Sequence, residues 1–326
     1  MRDLAGRIDA AVAEAGFSGV VRVRALDDLD LAAGDADRAN GRTNRSSTRF
    51  ATASGTKGFT ALTVMALIES GRLELATTVR SIVGDELPNV DPTVTIEHLL
   101  GHRSGIGDYL DEDELDDIDA HVLDRSAHEF VTPSDFLPLL AAPVTKARPD
   151  ETFTYNNSGF MILSIIVERL TGSFVDTVVD RVLAPAGMVD SGFFRSDDLP
   201  GDTALGYLED GRTNVFHLPV VGGGDGGAYV TVEDLDRFWT ALLDGRIVDA
   251  TTVELMTTPR SVHDDTTSYG LGFWLSPDGD HVWLEGMDAG VSMQTGVRRS
   301  TGERYSVLAN TSSGAWPIVR AVTDGW

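Results

Sequence analysis

Residues 51–73 read ATASGTKGFTALTVMALIESGRL. From about Thr56 to Leu73 the pattern predicts an apolar helix, closed by Gly71. Ser54 and Lys57 stand at its start as S-x-x-K. Residues three apart share one helix face, so the lysine amine can reach the serine hydroxyl. A serine hydroxyl is a poor nucleophile until a neighbouring base takes its proton, and a buried lysine with a lowered pKa can be that base. The free N–H groups of a helix N-terminus also suit an oxyanion. The chain holds 24 arginines but only two lysines, Lys57 and Lys146. Arginine does not deprotonate in proteins, so it could not serve as the base. The competing reading is a capping Ser54 with Lys57 turned to solvent.

A second stretch, TFTYNNSGFMILSIIVERLTG (residues 152–172), places Tyr155 and Asn157 as Y-x-N before a buried helix. A tyrosine beside an ammonium can have its phenolate stabilised and relay a proton to a leaving group. Asn157 both donates and accepts, and can hold Lys57 and a substrate carbonyl together. Alone, Y-x-N also suits a turn that caps a helix.

S-x-x-K followed about a hundred residues later by Y-x-N resembles the serine β-lactamase and penicillin-binding protein superfamily. The resemblance is strongest to the branch of class C β-lactamases, D-aminopeptidases, D-alanyl-D-alanine carboxypeptidases and family VIII esterases. TIEHLLGHRSGI, LAPAGMVDSGF, GGGDGGAYVTVEDLDRF, VELMTTP and SYGLGFWL match that branch, so the likeness runs over about residues 18–310. It implies Ser54 as the acylated nucleophile, Lys57 as its base, Tyr155 as proton shuttle and Asn157 as a substrate-positioning residue. The family's third motif, K-T-G or H-x-G, matches WLEGMDAGVS, with Gly286 and Gly290 keeping the glycine spacing. Leu284 then stands where the family has Lys or His, and Glu285 where it has Thr or a small residue. The backbone N–H of Met287, with that of Ser54, would form the oxyanion hole. Leu284 cannot hold a substrate carboxylate and Glu285 would repel one. Glu285 would better accept an ammonium or hydroxyl, unless strand alternation turns it to solvent.

The resemblance implies an α/β (α+β) fold of the β-lactamase/transpeptidase type: an antiparallel sheet from both termini flanked by helices, with an inserted all-helical region. The chain's own patterning agrees. SGVVRVRAL near the start, and YGLGFWL, HVWLEG, GVSMQTGVRR and YSVLANTSS near the end, read as strands. Helices fill the middle, with residues 133–183 helical in pattern. This predicts a single domain over residues 1–326, with a sheet part at about 1–80 and 222–326 and a helical part at about 81–221.

Of 326 residues, 51 are Asp or Glu and 26 Lys or Arg, a formal net charge of −25. A nucleic-acid partner is not expected, since no surplus of cations exists to displace phosphate counterions. Docking on anionic lipid is disfavoured for the same reason, and no run of ~18 apolar residues predicts a membrane span. The opening MRDLAGRIDAAVAEAGF carries acids and no long apolar run, which predicts an amphipathic helix and a cytoplasmic protein. The Asp-heavy, Lys-poor balance resembles proteins of salt-loving organisms; a high-GC bacterium is the alternative. Without cysteine, no disulfide or thiolate site forms.

Residues 108–124 hold the densest acid cluster and read as a solvated loop or frayed helix. They lack the spacing of an EF-hand calcium loop. His98 and His102 lie four apart without an evident third ligand, so no metal is expected. GGGDGG (residues 222–227) lacks a phosphate loop's strand–GxxxxGK–helix context and reads as a turn beside the site. No cofactor is expected. The function expected is a serine hydrolase acting through an acyl-enzyme on an ester or amide of a small-molecule or peptide-like substrate. The alternatives are a D-amino-acid peptidase or carboxypeptidase, a β-lactamase, or an inactive binding protein of the same fold. The sequence leaves the oligomeric state open.

Overall fold

The computed structural model describes residues 4–324. Eight strands form one sheet: β1 (Gly19–Arg24), β2 (Leu29–Ala33), β3 (Ser261–Val262), β4 (Ser268–Tyr269), β5 (Trp274–Leu275), β6 (His281–Asp288), β7 (Val291–Arg298) and β8 (Arg304–Ala309). Their order is β2-β1-β8-β7-β6-β5-β4-β3, and every neighbouring pair is antiparallel. The β1–β8 pairing, with Gly19 opposite Ala309, ties the two ends of the chain together.

Side chains alternate across a strand, and this sheet is covered on both faces. Val21 and Val23 of β1 join Tyr305 and Val307 of β8 on one face. There they meet Ile8 of α1 (Leu4–Ala15) and Ile318 and Val322 of α5 (Ala315–Thr323). Val20, Leu284, Met293 and Leu308 point to the other face, into the larger core. That core holds α2 (Thr56–Glu69), α3 (Asn157–Thr171) and α4 (Val232–Leu243). Every α2 residue from Thr56 to Leu67 is buried, as expected of a helix enclosed on all sides.

The expected helical run over residues 133–183 is interrupted. Helix Leu137–Leu140 ends before Pro143, and no helix resumes until Asn157. Pro143 and Pro149 remove backbone donors, and Asp150 adopts φ 66. The effect is to bring the head of α3 beside the head of α2, with β6 and the glycine-rich loop completing the ring around them.

Candidate active site

Ser54 lies in a tight turn, Ala53–Gly55, leading into α2. Ala53 sits at φ 43, a conformation non-glycine residues rarely adopt and one that is often found at functional turns. Gly286 of β6 lies against this turn. A Cβ on it would stand 2.4 Å from the Thr52 carbonyl oxygen and 2.6 Å from the Ser54 nitrogen. Only glycine lets the strand pass so close, which brings Met287 alongside Ser54 at the same cleft.

Lys57 is buried beneath the turn, 2 % exposed. Its Nζ lies 2.7 Å from Ser54 Oγ, 2.7 Å from Asn157 Oδ1 and 3.0 Å from the Asp225 carbonyl oxygen. Burial lowers its pKa, while Asp225, Glu112, Asp108 and Asp288 pull it back up. With a neutral amine, two N–H groups hold Asn157 and Asp225, and the lone pair faces the Ser54 hydroxyl. The geometry therefore suits a base.

Tyr155 presents its ring to Lys57, with Nζ 4.9 Å from the ring centre. Burial raises its phenol well above the usual range, Glu112 adds to this, and Ser54 opposes it. Burial thus favours the neutral phenol, the form that can give a proton. His102 packs against Tyr155 at 4.5 Å between ring centres, tilted by 36°, and is kept neutral mainly by burial and secondarily by Lys57.

Asn157 is the first residue of α3. Its Oδ1 accepts from Lys57, and its Nδ2 donates to the Leu110 carbonyl (2.8 Å) and to Glu112 Oε1 (3.0 Å). The amide is thus occupied by protein partners and sets the position of Lys57.

The acidic stretch over residues 108–124 is expected to be solvated, yet Asp108 at its start is largely covered. Asp108 accepts from the backbone N–H groups of Asn157 (2.6 Å) and Ser158 (2.8 Å), capping α3. Its carboxyl is nevertheless raised to about 6 by burial. The Tyr109 hydroxyl donates to Asp225 Oδ2 at 2.5 Å. Helix-end donors and a phenol, supplied by distant parts of the chain, make burial of these acids tolerable. Sequence reading missed Asp108, Tyr109, Glu112 and Trp274 as site residues. The one available signal was a run of acids, with no base to match it, lying between the two motifs.

The glycine-rich loop packs between α2 and α3. A Cβ on Gly224 would meet the Phe160 carbonyl at 2.2 Å, and Thr60 Oγ1 donates to the Gly224 carbonyl at 2.7 Å. The close packing fixes Asp225. Burial raises both Asp225 and Asp288, the latter to about 7.

In β6, Leu284 turns inward onto Gly58 of α2. Glu285 turns toward the cleft, where it lines a cavity with Ser54, Tyr155, Gly286 and Met287. The two histidines are otherwise employed: Nδ1 of His98 accepts from Thr95 N (3.2 Å), and Nδ1 of His102 from Asn156 N (3.0 Å). Among the described residues, no group of three or more His, Asp and Glu side chains is placed to hold a metal ion.

The Beta-lactamase family profile matches residues 4–319. The chain belongs to the Beta-lactamase family. A penicillin-binding protein from Bacillus halodurans is 36% identical and superposes with a TM-score of 0.91, covering 98% of this chain and 100% of that one. The penicillin-binding protein PbpX of Bacillus subtilis is 26% identical over 83% of this chain and 65% of its own length. Esterase EstB of Burkholderia gladioli is 34% identical over 60% of this chain and 53% of its own. The chain thus spans between half and two thirds of these two curated relatives. Among the described residues, no helix is long and apolar enough to cross a membrane.

Proposed function

We propose that this Beta-lactamase-family chain is a serine hydrolase that cleaves an ester or amide through an acyl-enzyme on Ser54. The observation that carries the reading is the buried Lys57 amine, 2.7 Å from Ser54 Oγ with its pKa depressed by burial. Ser54 Oγ attacks the carbonyl carbon as its proton passes to Lys57 Nζ. The oxyanion is held by the N–H groups of Ser54 and Met287. The bond to the leaving group then breaks, and the leaving atom takes a proton from the Tyr155 phenol, which Lys57 restores. Water attacks the acyl carbon, its proton returns by the same route to Ser54 Oγ, and the acid departs. Asn157 positions Lys57, while Glu285, Gly286 and Met287 line the substrate side. The sheet part (about 1–80 and 222–326) and the helical part (about 81–221) act as one domain that meets at this site. With Leu284 buried against α2, no cation from β6 reaches the cleft. An ester or amide without a carboxylate on its leaving side therefore suits the site better than a β-lactam or D-alanyl peptide.

The test is labelling with a fluorophosphonate, together with turnover of p-nitrophenyl esters and nitrocefin, in wild type and Ser54→Ala. Labelling and ester turnover that vanish in Ser54→Ala are expected. An unlabelled wild type, or a variant labelled equally well, refutes the nucleophile assignment.

A further inference from the structure

Two cavities flank Ser54, and they differ in character. One runs between the glycine-rich loop and Leu218, Pro219 and Val220. The other lies on the Tyr155 side and includes Trp274, Trp316, Glu285, Glu112, Asp111 and His263. In the mechanism above Tyr155 protonates the departing atom, so the second cavity receives the leaving group.

The arrangement of Glu285 there is specific. Its Oε2 accepts from Gln294 Nε2 (2.7 Å) on β7 and from Trp283 Nε1 (3.1 Å). Both tethers hold the same oxygen, leaving Oε1 without a hydrogen-bond partner among the described residues. Burial raises the carboxyl despite those two donors. A desolvated carboxylate with one anchored oxygen, no Lys or Arg beside it and only the field of His263 to oppose its charge is poorly satisfied by the protein alone. Lys146 pairs with Asp111 and Glu114. Glu112 and Glu285 have no ion pair with any Lys or Arg among the described residues, and none lines the cavity. The walls are aromatic: Trp274 stacks on Tyr155 at 5.8 Å and 12°, and Trp316 contributes to the rim. Indole and phenol faces attract cations as well as apolar groups. A tethered carboxylate and stacked aromatic faces are independent features, and both favour one chemistry.

We infer that the Tyr155-side cavity takes a leaving group bearing a protonated or quaternary amine, held between Glu285 and Trp274. This rests on the acyl-enzyme reading and narrows it to esters or amides of cationic alcohols or amines.

The experiment compares acyl-matched thioesters that differ only in the leaving group: thiocholine, its neutral isostere 3,3-dimethylbutanethiol, and 3-mercaptopropionate. At one fixed salt concentration, kcat/KM should fall in that order, with cation over neutral by roughly tenfold. In Glu285→Gln the cation-to-neutral ratio should drop toward one. Equal rates in wild type, or a ratio unmoved by Glu285→Gln, overturn the inference. A binding measurement separates this from failure of the hydrolase reading. Choline and 3,3-dimethylbutanol are titrated against Ser54→Ala, with tryptophan fluorescence as readout. Saturable quenching by choline alone, lost in Ser54→Ala/Glu285→Gln, supports the pocket even if no ester turns over. No quenching, or equal quenching by the neutral alcohol, overturns it.

Discussion

Substituting Gly286 by alanine adds one methyl group at the tightest point of the site. That Cβ would lie 2.4 Å from the Thr52 oxygen, 2.6 Å from the Ser54 nitrogen and 2.8 Å from the Gly55 nitrogen, whereas ordinary contact begins at 3.4 Å. All three neighbours are backbone atoms, so no side chain can swing aside. The strand and the turn must separate by the difference, about 1 Å. Overpacking of this kind costs about 1–3 kcal/mol, which for a chain of 326 residues is a fall in Tm of roughly 2–4 °C. Activity should suffer more, because the displaced atoms carry both the proposed nucleophile and the N–H groups proposed for the oxyanion. A 1 Å misplacement of reacting groups costs on the order of 10²-fold. Gly6→Ala is the matched control. It makes the same chemical change inside α1, where nothing lies within 4 Å, and should stabilise by about 0.5–1 kcal/mol through helix propensity. The assays are thermal melting and the second-order rate of fluorophosphonate labelling. A Gly286→Ala protein that labels within about threefold of wild type and melts with it would refute the claim that β6 is seated on the turn.

Lys57→Arg keeps a positive charge but cannot supply a free base, so ester kcat should fall by about 10²–10⁴-fold with the fold intact by circular dichroism. Asp288 has its pKa raised from 3.8 to about 7 by burial. The folded state therefore binds this proton more tightly than the unfolded one. Its contribution to stability is full below pH 3.8 and is lost as pH rises through about 7. Asp288→Asn should accordingly gain Tm over wild type progressively between about pH 4 and pH 8, and a constant difference would contradict this. The formal charge of −25 should make Tm climb between about 0.1 and 1 M NaCl, as the Debye length shrinks from ~10 to ~3 Å; a flat salt dependence would count against self-repulsion.

The parts of this site that were legible in the sequence are those whose geometry is local. Ser54 and Lys57 are three residues apart on one turn, and lysine scarcity marked Lys57 as the candidate base, a role arginine could not fill. The period-two patterns of β1, β6, β7 and β8 were equally local, and the sheet from both ends followed from them. Asp108 and Glu112 were illegible because their partners are tertiary. The donors of Asp108 lie 49 and 50 residues downstream at the head of α3. A dense acid run has no local signal for burial, so solvation is the sensible default until those donors are in place. The side that Glu285 faces was also undecided by alternation alone. It was settled by Leu284, whose fit onto Gly58 sends the next residue to the cleft.

The charge balance around Lys57 links the mechanism to the inferred leaving group. Burial lowers the Lys57 pKa, and the fields of Asp225, Glu112, Asp108 and Asp288 oppose it. In the free enzyme those carboxylates limit how far burial can lower the pKa of the proposed base. A cation bound beside Glu285 and Glu112 cancels part of that opposing field and adds its own positive potential. Lys57 then loses its proton more readily in the complex than in the free enzyme. The acid limb of the kcat profile, which reports the complex, should lie at lower pH for the thiocholine ester than for its neutral isostere. The kcat/KM profiles, which report the free enzyme, should share one limb. Coincident kcat limbs would show that the cation sits too far from Lys57 to be felt, and a shift toward higher pH would refute the electrostatic argument outright.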